Sequence, residues 1–280
     1  MRQADSKIIF FDIDGTLLNE RGEITKALQA ALIQLQKKGH EVCLASGRSK
    51  NGMVKELEAI LEWDGYVLGN GVYGEYHKAV VMHEVMEQVF VDEFISYTQA
   101  FPNMGLIVES NSGAYVSADT SEIVYNAMKK VTYHEEISYE QFRQIFHVVE
   151  DISVVKMVNK MMYFGAGDSA EVMIGKFSKN FDFLPNSVTQ TPNWEEGEIM
   201  IKGITKAVGI EKVIQFAGYD RKDVIAFGDG YNDLEMIEYA ATGVAMGNGV
   251  APLKKRADFI TDTNRNDGVV KMLKQLGLIL

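Results

Sequence analysis

Cysteine is almost missing from this chain: Cys43 is the only one in 280 residues, so no intrachain disulfide can form. It lies in the apolar run Val42-Cys43-Leu44-Ala45, where a thiol serves as a small hydrophobe of a buried strand. Long apolar runs are missing too. None approaches the ~20 residues of a membrane-spanning helix. The opening Met1-Arg2-Gln3-Ala4-Asp5-Ser6-Lys7 leads straight into a strand-like segment, without the pattern of a targeting peptide. The chain therefore reads as unprocessed and cytoplasmic, with no membrane partner. Basic residues are in deficit, 28 against 39 acidic ones, and the net charge of -11 argues against nucleic acid and anionic membranes as partners. No internal repeat and no low-complexity linker interrupts the sequence.

The composition, 46% hydrophobic and 24% charged, is that of a folded globular protein. At this length one domain with an insert, or two domains, is expected. The organising stretch is Ile8-Ile9-Phe10-Phe11-Asp12-Ile13-Asp14-Gly15-Thr16-Leu17. Four apolar residues read as a buried strand, and in extended backbone Asp12 and Asp14, two apart, leave its end together. Gly15 permits a tight turn, and Thr16 can bond nearby backbone groups there.

Helical spacing over about 24–38 follows, with Thr25 as a cap and Gly39 as a stop. The strand Glu41 to Ala45 ends in Ser46-Gly47-Arg48 and gives way to a second helix through about Leu61. This alternation of strand and helix implies a parallel sheet. A third strand, Tyr66 to Leu68, enters Gly69-Asn70-Gly71-Val72-Tyr73-Gly74. The glycines match the dinucleotide fingerprint, but that fingerprint needs a following helix, and Val72 to Val81 reads instead as a hairpin. From about Met82 to Gln190 the rhythm changes. Helices near 86–101, 120–131 and 168–180 are expected there, with strands near 106–109, 114–116 and 154–158, a turn at Asn111-Ser112-Gly113 and a capping box at Asp168-x-x-Glu171. The return includes a helix over about 206–217 with Lys206 in its first turn, against the macrodipole. On local grounds Lys206 is either a solvated lysine or one held there for a reason. Next come Asp223 to Gly228, a strand, and Asp229-Gly230-Tyr231-Asn232-Asp233, an acidic loop in which Asn232 or Asp233 can equally be an ordinary helix cap. The last strand, Gly243 to Met246, runs into Gly247-Asn248-Gly249. Since ligands of open parallel sheets bind beyond the C-terminal strand ends, Asp12, Ser46, Asn70 and Asp229 converge on one edge.

Asp12-Ile13-Asp14-Gly15-Thr16 resembles the first motif of the haloacid dehalogenase superfamily of phosphotransferases. Together with Ser46-Gly47-Arg48, Asn70-Gly71, Lys206, Gly228-Asp229-Gly230-x-Asn232-Asp233 and the tail Ala257-Asp258-x-Ile260-Thr261, its order and spacing resemble the Cof-like phosphatase branch, subclass IIB. The resemblance implies an α/β fold. A Rossmann-like parallel-sheet core over 1–83 and 191–280 would carry an inserted α/β cap over 84–190 that selects the substrate. One departure is Met200-Ile201, where the family often has a proline.

The resemblance further implies a Mg2+-dependent phosphatase for a small phosphate ester, either a sugar phosphate or a phosphorylated cofactor. Phosphate monoesters resist hydrolysis enough that enzymes accelerate it by up to about 10²¹-fold, so several groups must share the work. Asp12, ionised at neutral pH, would attack phosphorus and form an aspartyl-phosphate. Asp14 would act as general acid and then base, its main-chain carbonyl facing the metal. Asp12, Asp229 and Asp233 would offer the metal carboxylates. The Ser46 hydroxyl and the N–H groups of Ile13 and Gly47 would hold phosphoryl oxygens, with Lys206 neutralising them and Asn232 adding a donor; Asn70 lies near the same group. Arg48 would contact substrate or form a structural salt bridge. A phosphomutase and a non-catalytic phosphometabolite-binding module are the alternatives. The expected state is a monomer or weak homodimer, and nothing in the spacing of the insert names a substrate.

Overall fold

A computed structural model of the protein describes residues 6–19, 21–53, 55–131, 137–185 and 194–280. Two compact units divide the chain. The first comprises Met1–Arg48, Met53–His83 and Ile204–Leu280, the second Ser49–Gly52 and Glu84–Gly203. The junction expected between 190 and 191 lies outside the described residues; the units part after Gly203.

In chain order the first unit opens with β1 (Ile8–Phe11), α1 (Lys26–Lys37), β2 (Glu41–Ala45), α2 (Lys55–Glu58), β3 (Gly65–Leu68), β4 (Tyr73–Tyr76) and β5 (Ala79–His83). The second unit supplies α3 (Gln88–Thr98), β6 (Gly105–Ser110), β7 (Gly113–Ser117), α4 (Ser121–Val131), α5 (Tyr139–Ile145), β8 (His147–Val149), β9 (Val158–Phe164), α6 (Ala170–Phe177), β10 (Phe181–Pro185) and β11 (Glu196–Ile201). The chain returns with α7 (Lys206–Ala217), β12 (Val224–Gly228), α8 (Leu234–Tyr239), β13 (Thr242–Ala245), α9 (Ala251–Arg256), β14 (Phe259–Ile260) and α10 (Gly268–Gln275).

The first unit is built on one sheet of order β14-β13-β12-β1-β2-β3-β4-β5. Its strands run parallel from β14 to β3, and β4 and β5 add an antiparallel hairpin. β1 is buried on both faces, which is why it reads as an unbroken apolar run. Ile9 and Phe11 pack with Leu28, Leu32 and Leu35 of α1 and Leu273 of α10, while Ile8 and Phe10 pack with Ile210, Val213 and Ile214 of α7. Each such side chain removed from water contributes about 1.5–3 kcal/mol. Thr25 caps α1 as anticipated, its Oγ1 accepting the Leu28 N–H at 3.2 Å, and Gly39 ends the turn at φ +82°. The residues 69–71 form a short turn that leads into the β4–β5 hairpin, so the glycine fingerprint has no helix behind it. The second helix is shorter than expected and ends at Glu58.

The second unit carries a six-stranded sheet of order β10-β11-β9-β6-β7-β8, antiparallel except at β7–β8. A strand was expected at 154–158, but residues 152–154 are a 3-10 turn and the strand is β9, every residue of it buried. Asn159 and Lys160 broke its apolar pattern. Lys160 is tolerated inside because its Nζ lies 3.5 Å from Glu109 Oε1 and 3.5 Å from Glu198 Oε2. Burial disfavours its charge, yet the two carboxylates outweigh that and hold its pKa above the ordinary value. The strands β8, β10 and β11 and helix α5 are additional to those expected. No capping box forms at Asp168-x-x-Glu171, since the N-cap of α6 is Ser169, which makes no side-chain cap; a box forms at the start of α5, between its N-cap Ser138 and Gln141.

Candidate active site

Asp12, Ser46, Asn70 and Asp229 each follow a strand at the C-terminal edge of the first unit's sheet: β1, β2, β3 and β12. The neighbouring strands supply the main-chain partners that fix the backbone there. Asp12 N–H donates to Phe227 O at 2.9 Å, and Ser46 N–H to Val67 O at 2.8 Å.

Lys206 begins α7 and is fully buried. Its Nζ donates to Asp12 Oδ1 at 2.7 Å and to Asp233 Oδ1 at 2.6 Å. That contact is the reason for a lysine at a helix start, and the solvated alternative is excluded. Burial opposes the ammonium charge, but Asp12 and Asp233 overcome it and hold the Lys206 pKa well above the usual lysine range. Asp233 uses its other oxygen, Oδ2, to accept the N–H groups of Asp229 and Gly230, both at 2.9 Å. Asp233 thus ties the preceding residues of the acidic loop to itself and faces Lys206, and it makes no side-chain cap to α8, so the ordinary helix-cap reading of this residue does not hold.

Asp229 is buried and takes a hydrogen bond from Thr16 Oγ1 to its Oδ1 at 3.1 Å. Gly15, at φ +88°, presses its Cα against the same carboxylate: a Cβ there would stand 2.2 Å from Asp229 Oδ2. Neither partner of Asp229 was singled out from the sequence. Thr16 had only a backbone role, and the need for glycine was ascribed to the turn alone.

Asp14 and Arg48 form a bidentate pair, Nε to Oδ2 and Nη2 to Oδ1 at 2.7 Å each. Of the two readings for Arg48, the structure contains the salt bridge. Ser46 is buried and its Oγ accepts the Arg48 N–H at 3.2 Å, which turns the hydroxyl proton toward another acceptor. Asn70 adopts a left-handed conformation, φ +58°, and its Oδ1 accepts Asn232 Nδ2 at 2.9 Å. Gly47 adjoins both: a Cβ on it would lie 2.9 Å from Asn70 Oδ1 and 3.3 Å from Asn232 Nδ2. The glycine at 71 is equally constrained, because a Cβ would overlap Thr205 O, just before Lys206. The residues Ser46, Gly47, Asn70 and Asn232 are therefore one group of donors beside the acidic cluster.

Asp12, Asp229 and Asp233 offer carboxylate oxygens all within 4.8 Å of one another, and all three are buried. Burial, joined by Asp233, Asp229 and Asp14, pushes the Asp12 carboxyl well above its usual range, with Lys206 acting in the opposite direction. One ammonium among so many carboxylates leaves a buried negative excess. A hard divalent cation is what such an all-oxygen donor set suits, so the residues fit Mg2+. Asp233 already receives three donors, from Lys206, Asp229 and Gly230.

A family model described as haloacid dehalogenase-like hydrolase matches residues 9–273. YkrA of Bacillus subtilis (strain 168), a protein designated a phosphatase, is 30% identical, with 98% of this chain and 99% of that protein covered. The 5-amino-6-(5-phospho-D-ribitylamino)uracil phosphatase YitU of the same organism is 27% identical, with 96% of each covered. Among solved structures, the subclass IIB sugar phosphatase BT4131 superposes with a TM-score of 0.80 at 26% identity, covering 98% of this chain and 100% of that one. A protein from Geobacillus kaustophilus HTA426 gives a TM-score of 0.83 at 28% identity, with the same coverage. Among the described residues no helix is long and apolar enough to cross a membrane.

Proposed function

The chain belongs to the haloacid dehalogenase-like hydrolases, and on that premise we propose a Mg2+-dependent phosphatase that works through an aspartyl-phosphate on Asp12. It is a phosphoric monoester hydrolase acting on small phosphorylated substrates. The single observation that carries the finer reading is the 2.7 Å contact between Asp12 Oδ1 and the buried Lys206 ammonium. A binding module has no use for a buried carboxylate poised this way at a strand end, whereas a nucleophile needs its charge offset as the phosphate dianion approaches.

Asp12 Oδ attacks phosphorus while the ester P–O bond breaks. Asp14, two residues on, accepts from Arg48 on both oxygens here, so it delivers a proton to the departing alkoxide from a state in which one oxygen has left Arg48 and taken up that proton. It then takes a proton from the water that attacks the aspartyl-phosphate, and inorganic phosphate leaves with Asp12 restored. The Ser46 hydroxyl and the N–H groups of Ile13 and Gly47 hold the phosphoryl oxygens, and Asn232, aligned by Asn70, adds a donor. Lys206 balances charge on both sides of the transfer. Asp12, Asp229 and Asp233 would hold Mg2+, which would supply Lewis-acid charge neutralisation there. The second unit is assigned the choice of leaving group.

The named relatives act on a sugar phosphate and on a phosphoribityl compound. The substrate class proposed is accordingly a sugar phosphate or a phosphorylated cofactor intermediate. Phosphate release from p-nitrophenyl phosphate and a panel of such esters, measured with Mg2+ and with EDTA, tests this. Asp12→Asn should abolish release with the fold intact. Turnover retained by that variant would overturn the mechanism, and isomerised sugar phosphate without free phosphate would indicate a mutase.

A further inference from the structure

The loop Gly247-Asn248-Gly249 takes no part in the chemistry above. Asn248 is exposed, yet its amide is spent on the chain rather than on solvent: Nδ2 donates to Gly15 O at 2.8 Å, and Oδ1 accepts the Asn264 N–H at 3.0 Å. Asn264 continues the relay, its Nδ2 donating to Leu18 O at 2.8 Å. The orientation of the Asn248 amide is thereby decided, because a main-chain N–H can meet only its oxygen. The turn so gripped closes on itself through Gly15 N–H to Leu18 O at 3.3 Å and Leu18 N–H to Ile13 O at 2.9 Å. The same loop also grips the other acidic arm, with Val250 N–H on Asp229 O at 2.9 Å. Between the two arms stands Gly15, in van der Waals reach of the Asp229 carboxylate.

We propose that Asn248 and Asn264 are positioning residues, a two-amide clamp that holds the Ile13–Leu18 turn against Asp229. The inference rests on the phosphatase reading of the site. Neither amide reaches the reacting atoms; each acts through the carbonyl it holds, of Gly15 and of Leu18. Both carbonyls would find water if released, so the clamp matters for geometry far more than for stability. Small displacements of reacting groups are costly in rate, which is where the clamp should be felt.

The experiment compares Asn248→Asp and Asn264→Asp with the parent enzyme and with Asn266→Asp. Each change is isosteric. In the first two an acceptor oxygen replaces the NH2 that grips the turn. Asn266 lies in the same loop but donates to Asp262, at 3.1 Å, and does not touch the turn. kcat and KM for p-nitrophenyl phosphate are measured well below the thermal midpoint of every variant. The expected result is a fall in kcat of about tenfold for Asn248→Asp and Asn264→Asp, with KM changed less than about threefold. The double variant should be little worse than either single one, as expected of residues acting on one turn. Asn266→Asp should keep the parent kcat. If both clamp variants keep the parent kcat, or if Asn266→Asp loses as much, the clamp is refuted. Should one clamp variant fail to fold, the other decides by the same comparison. A parent enzyme without turnover would instead refute the phosphatase reading.

Discussion

Arg48 closes on Asp14 through both of its matching nitrogens, at 2.7 Å each, so the proposed acid–base group is held in one orientation by a planar guanidinium. Both side chains are more than a third exposed, so the pair contributes little to stability. Arg48→Lys, which keeps the charge but loses the fork, should lower kcat by about tenfold while the melting temperature moves by no more than a degree or two. A steady-state assay beside a thermal melt checks this, and an unchanged kcat would mean that the orientation of Asp14 is set elsewhere.

Lys206 is a different case, because nothing there is exposed. Lys206→Met leaves Asp12 and Asp233 buried without their counter-charge, and the folded state should lose about 3–5 kcal/mol. Phosphate release should fall below detection. Chemical denaturation read by circular dichroism measures the first, and a loss under about 1 kcal/mol would show that the carboxylates neutralise themselves by protonation.

The acidic cluster implies that a divalent cation stabilises the fold. At a hundredfold excess over its Kd, Mg2+ should add about 2.7 kcal/mol and raise the melting temperature, with EDTA reversing the shift. Asp229→Asn should abolish the shift. A melting curve indifferent to Mg2+ would refute the assignment of Asp12, Asp229 and Asp233 as ligands.

Far from that cluster, at the other end of β2, Glu41 Oε2 lies 3.4 Å from His77 Nε2, and His77 Nδ1 lies 3.9 Å from Asp64 Oδ1. Burial, and then Asp64, hold the Glu41 carboxyl above its ordinary value of 4.5. Above that value the folded state therefore binds more protons than the unfolded one, and stability falls as pH rises toward the raised pKa. Glu41→Gln removes the charge. Its melting temperature should match the parent's near pH 4 and exceed it at pH 7, the gap opening between. An equal gap at both pH values would assign the effect to packing.

The first unit was largely legible in the sequence, because β1, β2, β3 and β12 are apolar runs that stop just before a chemically unusual residue, whereas the two-residue β14 was not expected. α7 was placed at its observed bounds, and its lysine stood out in the first turn as either solvated or held there for a reason. The second unit was harder to read for one physical reason. β9 carries Lys160 in its middle, and a buried charge balanced by Glu109 and Glu198 of other strands is invisible to any local pattern. At the site, what escaped was part of the support. Thr16 on Asp229 and Asn248 on Gly15 join residues more than 200 positions apart, and their importance is set by where loops meet, which no spacing encodes.

β1 lies between β2 and β12, and β12 is formed by residues Val224–Gly228. A chain emerging from the ribosome therefore presents Ile8–Phe11 with one open edge until nearly the whole protein has been made, whereas the strands β6–β11 can all pair within the segment 105–201. The segment translated second is thus the first able to complete its sheet. The catalytic half must wait with an apolar strand exposed, which makes that strand the point at which slow synthesis or a late truncation would lead to aggregation.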